Sequence, residues 1–301
     1  MRTFKMRQTA YASHGVLLGA VCVFGIAVLM TCNAARAQRS KSGNREKLVW
    51  SDEFNRQQAS PAPDATKWTY ETGSAPNQEL EIYCAYGSNT APCSATSPNA
   101  YIGSDGTLHI VGRRDAQGRY TSARLKTQGI ASFQYGRFEA RIKIPAGQGM
   151  WPAFWMLGDS ISKVGWPACG EFDIMENVGK EPATIHGSIH GMGFTGTKIG
   201  LTATLPGNAV FANAFHTFGM IWSPGKVQYY VDDPANIYAT FTPASLPKGA
   251  VWPFDGGKFF IILNLAIGGD WPGSPNRATT FPAQMLVDYV RVWQEPVPAA
   301  R

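Results

Sequence analysis

Gly136-Arg-Phe-Glu-Ala-Arg-Ile-Lys-Ile-Pro145 alternates strictly along its length. Phe138, Ala140, Ile142 and Ile144 face one way and Glu139, Arg141 and Lys143 the other, the period of a half-buried antiparallel strand. The same alternation runs through Thr107–Arg113, through Thr217–Ser223, where Phe218, Met220 and Trp222 share a face, and through Met285–Trp293. Pro224-Gly225 joins two of these strands as a hairpin. No internal repeat and no helical period of comparable length competes with the strand signal. Many strands joined by Gly/Pro turns hide their apolar faces in a two-sheet sandwich or a closed barrel. The sandwich is favoured, and the predicted fold class is all-β. Curved sheets of this kind offer a concave face on which Trp and Tyr stack against the C–H faces of sugar rings.

The composition agrees. The chain has 301 residues, 44% hydrophobic and 16% charged, with 32 Gly and 9 Trp, which excludes disorder and coiled coil. The formal charge of +6 is partly in a leader. Arg2, Lys5 and Arg7 precede an uncharged apolar run from Val16 to Met30, and Ala35-Arg36-Ala37 follows, which reads as a secretory signal peptide over 1–37. The run is short for a membrane span. Without the leader the charge drops to about +2, so nucleic-acid binding loses its support and no membrane span is expected. The protein is expected to be secreted or periplasmic. The rival route, a lipid anchor on Cys32, is disfavoured by Thr31 before it. Residues 38–46 read as a flexible stub, 47–294 as one domain and 295–301 as a tail. Outside the leader, Cys84 and Cys93 bracket a short Gly/Asn/Pro-containing loop, whose closure in an oxidising compartment would stabilise by roughly 2–3 kcal/mol. The alternative is two buried free thiols. Cys169 is left over, with no metal-ligand spacing around it.

The chemistry is concentrated in Gly170-Glu-Phe-Asp-Ile-Met-Glu-Asn177, with three carboxylates in six residues. On a regular strand Glu171 and Asp173 share a face while Glu176, an odd five residues on, points away. A β-bulge at Ile174-Met175 would bring all three together. Clustered carboxylates cannot all stay ionised cheaply, so their pKa values separate, as a general acid beside a nucleophile requires. In a retaining glycosidase the two working carboxyls lie about 5–5.5 Å apart. The competing reading is an acidic edge strand whose charges block edge-to-edge pairing.

These residues resemble glycoside hydrolase family 16, in its laminarinase-like branch with a bulged E-x-D-x-x-E signature. Beyond Glu171-Phe-Asp-Ile-Met-Glu176, the resemblance runs through Trp50-Ser-Asp-Glu-Phe54, Asn77-Gln-Glu-Leu80, Tyr135-Gly-Arg-Phe-Glu-Ala-Arg141, Gly149-Met-Trp-Pro-Ala-Phe-Trp-Met-Leu157, Phe259–Trp271 and Val287-Asp-Tyr-Val-Arg-Val-Trp293. It implies a concanavalin A-like jelly-roll sandwich with a substrate cleft across its concave face, hydrolysing internal β-glycosidic bonds with retention. It implies Glu171 as nucleophile, Glu176 as acid/base and Asp173 as the helper that tunes Glu171. Asn77, Trp151, Trp155, His190 and Trp271 correspond to substrate-binding positions, although each Trp is equally a core residue type. Glu53 and Asp288 resemble the family's structural calcium site on the convex side, or are ordinary surface acids. No cofactor is required for catalysis.

Three other features are set aside. His186 and His190 share a strand face but lack a third zinc ligand. His109 and His216 read as structural. Gly191-Met-Gly-Phe-Thr-Gly196 matches a dinucleotide-binding pattern, but Gly200 and Pro206 spoil the helix that it must open. The expected activity is endo-hydrolysis of β-1,3-glucan or mixed β-1,3/1,4-glucan by a monomer. Alternatives are a galactan hydrolase acting on agar or carrageenan, a glucan transglycosylase and a lectin-like sandwich without chemistry.

Overall fold

The computed structural model describes residues 46–55, 61–195 and 199–296. The leader with Cys22 and Cys32, most of the stub and the end of the tail lie outside the described residues. From Glu46 onward the described residues belong to one compact unit, a jelly-roll sandwich of a seven-stranded antiparallel sheet and an eleven-stranded sheet in which Glu81–Tyr83 and Tyr120–Ser122 pair in parallel and the other described pairings are antiparallel. The seven-stranded sheet runs in the order Gly200–Thr204, Thr184–His190, Glu171–Glu176, Met150–Gly158, Phe259–Ile267, Arg124–Lys126 and Thr69–Glu71. The larger sheet is centred on Gly136–Lys143, paired between His216–Ser223 and Ala283–Gln294. Among the described residues no helix is long and apolar enough to cross a membrane.

The predicted alternation sets the core. Phe138, Ala140 and Ile142 on one sheet and Phe154, Phe172, Ile174, Ile261 and Leu263 on the other are all at most 1% exposed. Phe172 packs against Phe254, Phe259 and Trp222 with ring centroids 4.4, 4.6 and 5.0 Å away. Burying a side chain of this size contributes about 1.5–3 kcal/mol, so the strand that carries the carboxylates is anchored through its inward residues. Phe259–Ile267 is buried throughout because its second face is covered too. There Phe260 and Ile262 join Leu157 and Cys169 in a small second cluster against Ile161 and Trp155. Cys169 is therefore a buried thiol without a partner cysteine.

The hairpin forms at Pro224-Gly225, where Ser223 pairs Lys226 and Gly225 takes a φ of 67°, the left-handed conformation that glycine adopts without strain. The motif Trp50–Phe54 is structural. The Asp52 carboxylate is buried and accepts hydrogen bonds from the Trp68 indole N–H at 2.8 Å and the Phe54 amide at 3.2 Å, fastening the first strand to the sandwich. Cys84 and Cys93 are joined, with Cα atoms 5.7 Å apart.

Three expectations need adjusting. Glu46 is not part of a free stub, because its carboxylate accepts a hydrogen bond from Arg137 Nε at 3.0 Å. The outward face of Gly136–Lys143 is not uniformly solvated either. Glu139 is buried under Arg137 and the Tyr230 hydroxyl, which donates to it at 2.5 Å, since Tyr230, two strands away, reaches across Gly219 to it. Glu53 and Asp288 do not form a ready set of oxygen ligands. Arg291 grips both oxygens of Glu53 at 3.0 and 2.7 Å and Arg141 binds Asp288 at 2.8 Å, so each negative charge is already met. A hard cation takes six to eight oxygens, and this arginine-paired arrangement does not fit one.

His109 and His216 are held by Asp105 and Asp232 at 3.1 and 2.9 Å. The glycine-rich stretch after His190 forms a turn closed by a Gly191–Phe194 bridge, and Gly200–Thr204 is a strand.

Candidate active site

The strand Glu171–Glu176 changes register in its middle. Against its neighbour on one side Asp173 pairs with Ser188 and Glu176 with His186, so three steps along one strand face two on the other. Against the opposite neighbour Asp173 pairs with Trp155, Met175 with Phe154 and Glu176 with Ala153. One residue is therefore extra, a β-bulge at Ile174-Met175. Ile174 and Met175 both belong to the core between the sheets, which breaks the alternation and turns Glu176 back to the side of Glu171 and Asp173. All three carboxylates line one cleft of about 340 Å³ on the outer face of the seven-stranded sheet.

Each carboxylate has its own donor. The Trp166 indole donates to Glu171 Oε2 at 2.7 Å and the Trp151 indole to Glu176 Oε1 at 2.9 Å. Asp173 Oδ2 accepts from the Ser188 hydroxyl at 2.7 Å and lies 2.8 Å from His190 Nε2, which is 3.9 Å from Glu171 Oε1. Burial pushes Glu171 well above the usual carboxylate range, and the Asp173 and Glu176 charges push it further while the Trp166 N–H pulls it back. Glu176 is likewise well above its ordinary value, through burial and the Asp173 charge, opposed by the Trp151 N–H. Burial alone would lower His190, but the Asp173 carboxylate outweighs it and His190 ends above its ordinary value. Glu171 and Glu176 therefore hold their protons to higher pH than isolated carboxyls do.

The predicted aromatics divide by position. Trp151 and Trp155 stand two pleats apart on the cleft face, and Trp155 is oriented by a 2.7 Å hydrogen bond to Asn264 Oδ1. Trp271 stands edge-on to Trp151 with centroids 5.5 Å apart and meets the His186 ring at 4.8 Å. Asn77 lines the cleft with a φ of 62°, and its carbonyl accepts the Asp270 amide at 2.9 Å, which ties the two loops of the rim together. His190 reaches Asp173, while His186 turns to Glu181 at 2.9 Å, so the two histidines serve different partners. Among the described residues Glu171, Asp173 and His190 are close enough to hold one metal ion, their ligand atoms lying within 4.8 Å of one another.

A bulged carboxylate strand set in an aromatic cleft on a jelly roll agrees with the family comparison. The model for the glycosyl hydrolases of family 16 matches residues 67–291. This chain belongs to glycoside hydrolase family 16. The family 16 chain is 39% identical over 285 residues to a β-glucanase of Rhodothermus marinus, spanning 90% of this chain and 93% of that one. It is 33% identical to a glucan endo-1,3-β-glucosidase A1 of Niallia circulans over 82% of this chain, but spans only 38% of that longer protein. The endo-β-1,3-glucanase structure from Pyrococcus furiosus superposes with a TM-score of 0.72 at 44% identity, covering 83% of this chain and 94% of that one.

Several cleft residues of this family 16 hydrolase escape a reading of the sequence. Trp166 lies only five positions before Glu171, so proximity to the carboxylate run was the available signal. Ser188 was visible as the polar residue between His186 and His190 on one strand face. Glu71, Glu79, Arg124 and Asn264 carry no local pattern, because three separate strands and a loop bring them to one end of the cleft. Arg124 donates there to Glu71 at 2.9 Å and to Glu79 at 3.2 Å, and lies 5.5 Å over the Trp155 ring.

Proposed function

We propose that this hydrolase cleaves internal bonds of β-1,3-glucan or mixed β-1,3/1,4-glucan with retention of anomeric configuration. The observation that carries the reading is the bulge at Ile174-Met175, which turns Glu171 and Glu176 onto one cleft face, each with one oxygen held by an indole. The glucanases among its relatives support the substrate class. The leader over residues 1–37 and the joined Cys84 and Cys93 support export to an oxidising compartment.

In this mechanism Asp173 accepts the proton of Glu171, leaving the Glu171 carboxylate free to attack the anomeric carbon. Glu176, kept protonated by burial, donates its proton to the departing glycosidic oxygen. The glycosyl ester on Glu171 is then attacked by water, whose proton returns to Glu176 while Glu171 leaves as carboxylate. Ser188 and His190 hold Asp173 in place from the neighbouring strand. Trp151, Trp155 and Trp271 supply stacking surfaces, and Asn77 a polar contact at the rim.

Trp166 is exposed, and its N–H pulls Glu171 down against burial and the neighbouring carboxylates. Trp166→Phe keeps the ring and deletes the donor. Its kcat/KM on glucan is expected to fall about tenfold, the scale of a hydrogen bond to a charged group at a partly solvated position. Glu171 then titrates higher, so the acid limb of the pH–rate profile shifts to higher pH, which a pH series on both proteins checks.

The activity is tested by mass spectrometry of products from residues 38–301 incubated with laminarin, barley mixed-linkage glucan, agarose and carrageenan, with proton NMR following the first anomer released. Glucan oligosaccharides born as the β-anomer are expected. Products from the galactans alone would overturn the substrate class and leave the catalytic roles standing. Laminarin binding without cleavage would make the protein a lectin-like sandwich.

A further inference from the structure

Glu81 is a fully buried carboxylic acid that the mechanism does not use. It opens the short strand Glu81–Tyr83, directly after the Asn77–Leu80 segment at the cleft rim. Its Oε2 accepts the Ile267 amide at 2.7 Å, and the Leu80 amide donates to the Ile267 carbonyl at 2.8 Å. Ile267 ends the strand Phe259–Ile267 of the cleft sheet and leads through Gly268-Gly269 to Asp270 and Trp271. Glu81 thus stands at the joint between the segment that presents Asn77 and the loop that presents Trp271. The joint is tight. A Cβ on Gly268, whose φ is 73°, would lie 2.5 Å from the Leu80 side chain.

The other oxygen is the informative one. Glu81 Oε1 is buried with no donor among the protein groups, and the neighbouring acid is Glu79. The surrounding positive charge is committed elsewhere. Arg124 directs Nη1 to Glu71 at 2.9 Å and Nη2 to Glu79 at 3.2 Å and to the Tyr83 hydroxyl at 3.1 Å. Lys126 faces Glu71 at 3.5 Å. Among the described residues, Glu79, Tyr83 and Arg124 are the titratable groups about Glu81, with Glu71 and Lys126 behind them; Arg124 keeps one buried N–H, Nε, without a partner, and its charge and that of Lys126 are met by Glu71 and Glu79. A buried acceptor without a donor, next to a carboxylate, is where a proton belongs.

We propose that Glu81 is a neutral carboxylic acid that donates through Oε1 to Glu79, acts as a positioning residue latching the Asn77 segment to the end of the Phe259–Ile267 strand, and weakens substrate binding when it loses that proton. Burial, and then the hydrogen bond and charge of Glu79, push Glu81 up to about 8. Once ionised, Glu81 repels Glu79 in a site that excludes water. It is relieved by drawing the Glu79–Glu81 segment away from Ile267, and the rim that holds Asn77 and Trp271 loosens with it. Catalytic protonation belongs to Glu176 and appears in kcat, whereas the latch appears in KM.

The test compares the wild type with Glu81→Gln, which keeps an acceptor for the Ile267 amide and offers Glu79 an N–H donor at every pH. Between the ordinary glutamate range and about 8, the native state holds a proton that the unfolded chain has released, so stability falls as pH rises through that window. The Tm of Glu81→Gln is therefore expected to exceed that of the wild type by a margin that widens from pH 5 to pH 8. A margin independent of pH overturns the proposal. A second arm rests on the glucanase reading. With a midpoint near 8, the latched fraction falls to roughly one-tenth at pH 9, so the wild-type KM for laminarin rises about tenfold between pH 6 and pH 9 while that of Glu81→Gln stays level. A wild-type KM that is flat to pH 9.5, or an equal rise in both proteins, overturns it. If Glu81→Gln does not fold, the wild-type KM profile decides alone. If no glucan is cleaved at pH 6, the substrate reading fails and the stability arm still decides the latch.

Discussion

Glu171→Gln is expected to lower kcat on β-glucan by at least about 10⁴-fold, the scale on which loss of an attacking group acts when its partners depend on it. Gln cannot form the glycosyl ester, and Asp173 and Glu176 occupy other positions along the strand, opposite Ser188 and His186. The same substitution removes a buried carboxyl whose folded-state pKa is raised. Above the ordinary glutamate range the folded wild type retains protons that the unfolded chain has shed, so its stability declines as pH rises toward the folded value. Glu171→Gln should therefore melt higher than wild type, by a wider margin at pH 7 than at pH 4. Calorimetry beside the activity assay checks both statements. A variant that cleaved glucan at the wild-type rate would sink the nucleophile assignment, and an inactive variant that also failed to fold would not support it.

Glu176→Ala is expected to cost about 10²–10⁴-fold in kcat on the polysaccharide, the usual contribution of a positioned proton donor. The loss should be smaller for a glucoside whose leaving group departs without a proton, since only the second step then needs Glu176. Azide needs no base to attack the glycosyl ester. It should restore turnover and give a β-glycosyl azide if the reaction passes through a covalent intermediate on Glu171. An α-azide, or no rescue at all, would point to direct displacement by water. Because burial and the Asp173 charge raise Glu176 well above the ordinary glutamate range, it keeps its proton to higher pH, and activity should decline on the alkaline side as that proton is lost.

Much of the fold was legible because strand alternation is a local property. Phe138, Ala140 and Ile142 are core because period-two side chains on one sheet face have one place to go. The bulge was legible by a different route. Glu171 and Glu176 are an odd number of residues apart, so a shared cleft required an extra residue, and Ile174-Met175 was the apolar pair available to sink into the core. Trp151 and Trp155 came from the family resemblance.

What the chain could not show locally was which charges meet. Glu53 and Asp288 looked like free oxygen donors, yet strand pairing delivers Arg291 and Arg141 to them. Arg124 looked like any basic residue in a short strand, yet three elements converge on it with Glu71, Glu79 and Tyr83. Trp166 is an exposed residue by its surroundings, and only the turn before the carboxylate strand aims its indole at Glu171.

The amino-acid order alone determined the all-β class, the three-carboxylate strand and the need for a bulge, because periodicity and spacing act within a few residues of one another, while the aromatic cleft came through the family resemblance. Tertiary structure decided which of these charges meet. It set the donors on Glu171 and Glu176, the arginine pairing of Glu53 and Asp288 and the burial of Glu81 beside Glu79, because the dielectric and the neighbours of an ionisable group come from strands distant in the chain.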